Sequence, residues 1–75
     1  MNKETIGERI RYVRLKNLLT QREFAASIGV GRSALVRYET GEVFPSVLVA
    51  ASIAETCGVS LNWLILGKGG YRRDD

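Results

Sequence analysis

The chain has 75 residues, 45% of them hydrophobic and 25% charged, which is enough for one small domain burying about 60% of its unfolded surface and too little to enclose a sizeable active-site cavity. It carries no histidine and one cysteine, so zinc fingers, histidine triads and internal disulfides are excluded, and neither a metal nor a cofactor is expected. The net charge of +3 suits a polyanionic partner without identifying one.

Thr5, Ile6, Gly7 and Glu8 form a T-x-x-E capping box, in which hydroxyl and carboxylate satisfy the orphan amides of a helix start. The apolar stripe of Ile6, Ile10 and Val13 carries the first helix from Ile6 to about Asn17, with Leu18 and Leu19 then turning inward. Its outer face holds Glu8, Arg9, Arg11 and Lys16, mixed in sign and read as solvated. Thr20 to Glu23 repeats the capping box. A second helix therefore opens at Gln21, with Phe24, Ala25 and Ile28 as its stripe, and ends at Gly29, a residue that tolerates the left-handed conformation.

Gly31 serves as a second-rank N-cap for a third helix. Leu35 and Tyr38 point inward, Val30 packs from the turn, and Arg32, Ser33, Val36 and Arg37 point outward until Gly41 closes the helix. Two short crossed helices, the second with a polar, arginine-bearing outer face, are what a helix-turn-helix needs to enter the major groove of DNA.

Pro45 disfavours helix at Phe44, and Ser46 caps a fourth helix, Val47 to Cys57, that is apolar nearly all round. A small bundle covers only one face of such a helix, so Leu48 and Ala51, with Ile65 on the fifth helix, are expected to meet another chain. Cys57 reads as a small core residue. Gly58 stops the fourth helix; Ser60 starts the fifth, Leu61 to Leu66, and Gly67 ends it. Residues 1–67 make the domain, and 68–75 read as a frayed tail or the start of a linker, with Arg72 and Arg73 neutralised by Asp74 and Asp75. Phe24, Tyr38 and Trp63 read as core rather than as platforms for stacked bases. No stretch is apolar enough for a membrane span or a signal peptide, so a cytoplasmic location is expected.

In order along the chain stand Gly7-Glu8-Arg9-Ile10 with Arg14, Thr20-Gln21 with Ala25 and Gly29, Tyr38-Glu39-Thr40-Gly41, Pro45-Ser46 with Ile53-Ala54, and Gly58-Val59-Ser60-Leu61-Asn62-Trp63-Leu64. With these pieces the chain, from about Ile6 to Gly67, resembles the lambda-type phage repressor and Cro helix-turn-helix family. The resemblance implies an all-α, five-helix fold with the helix-turn-helix at helices two and three. It also implies a sequence-specific transcriptional regulator, a repressor above all, bound to a double-stranded operator as a homodimer. Carried over by position, Gln21 donates to a DNA phosphate, with Arg22, Gly31 and Thr40 at neighbouring phosphates. Arg32 and Ser33 read base edges, Val36 meets a thymine methyl, and Arg37 reaches a base or its flanking phosphate. Arg14 and Glu39 match a structural ion pair. Three positions depart from the pattern: Gly31 stands where serine or threonine is usual, Glu42 where basic residues often face the backbone, and Leu48 where a charge is usual. The alternative function is an antitoxin-like interaction module that binds a protein partner through the apolar fourth helix. Enzymatic activity is not expected, because no acid, base or nucleophile can be assigned.

Overall fold

The computed structural model describes residues 3–73. Among these lie five helices: α1 (Ile6–Lys16), α2 (Gln21–Ile28), α3 (Arg32–Thr40), α4 (Val47–Cys57) and α5 (Leu61–Leu66). Both capping boxes form, Thr5 with Glu8 and Thr20 with Glu23, and Ser46 and Ser60 accept from Val49 and Trp63 at the starts of α4 and α5. Gly31 caps α3 without a side-chain bond.

The core draws on every helix: Ile10 and Val13, Phe24, Ala25 and Ile28, Leu35, Ala50, Ile53 and Ala54, and Leu64, with Val59 from the turn. α1 packs on α3 and α5, and α2 packs on α3 and α4, so α3 is held from behind while its other side stays open. Gly7 explains how closely α1 can approach. A Cβ there would lie 2.4 Å from the Tyr38 carbonyl oxygen and 2.9 Å from that of Glu39.

Three features depart from the sequence reading. Leu18 points outward, 90% exposed, because the chain reverses after α1 through a left-handed residue at Leu18 (φ 58°); the Leu19 N–H then donates to the Arg14 carbonyl and only Leu19 turns in. Arg9 is buried rather than solvated. Its Nε donates to the Leu64 carbonyl at 2.8 Å and its terminal nitrogens to Ile65 and Lys3 carbonyls at 3.1 and 2.9 Å, placing a cation at the C-terminal, partially negative end of α5.

The third concerns the segment after Gly67, which folds back instead of fraying. Ser60 N–H donates to the Tyr71 carbonyl at 2.8 Å and Arg73 N–H to that of Gly58 at 3.2 Å, a bridge between Val59 and Arg72. Tyr71 stacks edge-on against Trp63 and Tyr12, with centroids 4.8 and 5.6 Å away, and burial pushes its hydroxyl pKa up. Asp74 and Asp75, the expected neutralising partners of Arg72 and Arg73, lie outside the described residues. Phe24 is fully buried, and Tyr38, Trp63 and Cys57 are partly buried against the core. Burial also pushes the Cys57 thiol pKa up, which lowers its thiolate fraction and suits a packing role.

Candidate nucleic-acid interface

The geometry of α2 and α3 follows from the turn between them. Gly29 takes the left-handed conformation (φ 77°) at the end of α2, and three residues later α3 begins at Arg32. Leu35, fully buried, anchors α3 to the core. The residues around it alternate outward, leaving Arg32, Ser33 and Arg37 exposed and Val36 half-buried. Arg22, Gly31 and Thr40 are exposed as well, and Gln21 is half-buried at the start of α2. All eight positions expected to contact DNA are thus exposed or half-buried, and hydrogen bonds join Arg32 to Gln21 and Thr40 to Arg37.

Behind this face a chain of polar contacts runs into the interior. Arg14 grips Glu39 with two nearly parallel bonds, Nε to Oε2 at 2.7 Å and a terminal nitrogen to Oε1 at 3.1 Å. Their side chains are only 10% and 4% exposed. A pair so buried and doubly bonded resists loosening in a way exposed pairs do not. Gln21 Nε2 donates to Glu39 at 3.3 Å, and its Oε1 accepts from Arg32 at 3.3 Å. Gln21 therefore links the exposed Arg32 to the buried pair, a role that no spacing along the chain announces because Gln21, Arg32 and Glu39 lie on three turns of two helices.

At the other end of α3, the Thr40 hydroxyl donates to the Arg37 carbonyl at 3.2 Å. Arg37 Nε donates to Glu42 Oε2 at 3.0 Å, a contact the sequence reading did not include. Its one visible signal was an acidic residue just past the glycine that closes α3. The proposed partner surface lies elsewhere: Leu48 is 82% exposed, with Val47, Phe44, Leu61 and Leu66 also exposed. Ala51 and Ile65 are half-buried, and Ile65 packs against the core. Among the described residues no cluster of side chains could hold a metal ion, and no helix is long and apolar enough to cross a membrane.

Comparison with known proteins follows the same lines. The sequence profile described as Helix-turn-helix matches residues 10–64. An uncharacterized HTH-type transcriptional regulator of Haemophilus influenzae is 40% identical over 67 residues, covering 89% of this chain and 28% of its own length. A second uncharacterized HTH-type transcriptional regulator, of Methanocaldococcus jannaschii, is 34% identical over 53 residues, 71% of this chain and 80% of its own. Among solved structures, the P22 c2 repressor in complex with a synthetic operator superposes with a TM-score of 0.80 at 26% identity, over 85% of this chain and 97% of that one. The chain spans little more than a quarter of the Haemophilus protein.

Proposed function

Since the chain belongs to the helix-turn-helix family, we propose that it is a DNA-binding transcriptional regulator, a repressor that reads duplex DNA in the cytoplasm with α3 in the major groove. The observation that carries this reading is the outward placement of Arg32, Ser33, Val36 and Arg37 on α3, within a fold closely similar to that of an operator-bound repressor. Arg32 and Arg37 suit the O6 and N7 acceptors of guanine, Ser33 a base edge and Val36 a thymine methyl. Gln21, Arg22, Gly31 and Thr40 flank them and suit phosphates, with the exposed amides at the start of α2 adding to the attraction.

One small module makes too few contacts to rise far above the non-specific level of about 10⁻⁴ to 10⁻⁶ M. The regulator therefore acts as a homodimer, its two recognition helices about 34 Å apart on successive major grooves. The exposed apolar group of Val47, Leu48, Leu61 and Leu66, with Ala51 and Ile65 beside it, is where the second copy sits. This accounts for the apolar fourth helix without a foreign protein partner.

The test is selection of bound sequences from a random duplex pool, followed by affinity measurements on the selected duplex and on random DNA. Arg32→Ala should weaken the selected duplex by about 5- to 150-fold and random DNA far less. Gln21→Ala should weaken both alike. Failure to enrich any sequence, or equal losses on both duplexes for Arg32→Ala, refutes the reading, and one chain per duplex in sedimentation refutes the dimer.

A further inference from the structure

Glu42 occupies a position fixed by the backbone rather than by chance. Gly41 adopts the left-handed conformation (φ 84°) after α3, which turns the chain back over the last helical turn. There the Glu42 N–H donates to the Arg37 carbonyl at 2.9 Å. The same residue pair is thus joined twice, since Arg37 Nε also donates to the Glu42 carboxylate at 3.0 Å. Arg37 is the last basic residue of the recognition helix, and its side chain and that of Glu42 remain 52% and 63% exposed. The pair therefore sits on the surface a duplex would approach.

We propose that Glu42 is a specificity-determining residue of this surface: it holds Arg37 by Nε, leaves the two terminal nitrogens for neutral base-edge acceptors, and opposes capture of the same guanidinium by phosphate. The inference rests on the duplex-binding reading above. A phosphate oxygen approaching Arg37 brings its negative charge up to the carboxylate already there, whereas guanine presents two uncharged acceptors to the free terminal nitrogens. Like charges at such separations repel, and the repulsion is felt on every sequence that offers only backbone. The carboxylate thus lowers affinity for random DNA more than for the preferred site. Sequence-independent binding by a basic recognition helix is the competitor that any regulator must outweigh across a genome.

The experiment compares the full chain with its Glu42→Gln, Arg37→Gln and doubly substituted variants. The probes are the duplex enriched from a random pool by the unsubstituted chain and a random duplex of equal length, titrated over a range of salt. Glu42→Gln should tighten random-duplex binding about 3- to 10-fold and steepen its salt dependence by up to about 0.9 per bound chain, while changing the enriched duplex little. The preference ratio falls accordingly. In the Arg37→Gln background the same substitution should leave the ratio unmoved. An unchanged ratio in the first background, or an equal fall in both, overturns the proposal, the latter because it would report bulk charge alone. A chain that enriches no duplex refutes the duplex-binding reading and this one with it, whereas enrichment with an unmoved ratio refutes only the role of Glu42. Thermal melting of Glu42→Gln should match that of the parent, since the pair is exposed.

Discussion

Gly7→Ala offers a test in which helix propensity and tertiary packing predict opposite signs. On propensity alone alanine should stabilise α1 by up to about 1 kcal/mol. In the folded protein the new Cβ would lie 2.4 Å from the Tyr38 carbonyl oxygen, where ordinary contacts begin at 3.4 Å. The obstructing atoms are backbone at the end of α3, so no side-chain rotation relieves them, and α1 must move away by about 1 Å. Close-packed interiors resist such shifts, at about 1–3 kcal/mol for an inserted methylene. Because the obstruction is rigid, the upper end of that range applies, and the net loss after the propensity gain is about 2 kcal/mol. For a domain of this size that lowers the melting temperature by roughly 8–16 °C. Urea denaturation followed by Trp63 fluorescence, with thermal melting by circular dichroism, measures it. Equal or greater stability than the parent would refute the argument that the α1–α3 distance is fixed by a missing Cβ.

Glu39→Ala leaves Arg14 buried with only the Leu19 carbonyl as partner; the expected cost is about 3–5 kcal/mol, a quarter or more of a total stability of about 4–11 kcal/mol for a chain this long, so unaltered denaturation would show the pair to be inconsequential. Arg9→Met removes the cation from the end of α5 and should cost about 1–3 kcal/mol for the carbonyls left without a donor. An unmoved urea midpoint would contradict the buried position of Arg9. Leu18→Gly should stabilise the fold by about 0.5–1 kcal/mol, since glycine avoids the 1–2 kcal/mol strain of a left-handed leucine at a smaller entropic cost, and the exposed Leu18 side chain has no burial to lose. A lower melting temperature would argue that the turn after α1 is built differently.

The five helices were legible in the sequence because most of their ends carry their own local chemistry, the start of α3 and the end of α1 excepted. Thr5 with Glu8, Thr20 with Glu23, Ser46 and Ser60 announce starts, and Gly29, Gly41, Gly58 and Gly67 announce stops, through contacts spanning only a few residues. The apolar stripes identified the inner face of α2 and α3, and hence which side chains remain outside. Arg14 with Glu39 was foreseen through family resemblance rather than spacing, as 25 residues separate them.

Local chemistry does not reach across the fold, and there the reading of residues stopped. Arg9 looks like any solvated cation until α5 is placed beside it, and the tail looks unstructured until Gly58 and Ser60 supply backbone partners for Tyr71 and Arg73. The link from Arg32 through Gln21 to Glu39 joins groups whose proximity depends on the crossing of α2 and α3. The sequence by itself therefore determined the helices and the outward face of the third, because capping and periodicity are short-range. Only the tertiary structure decided what stands behind that face and what restrains its arginines, because those contacts exist only once distant turns have been brought together.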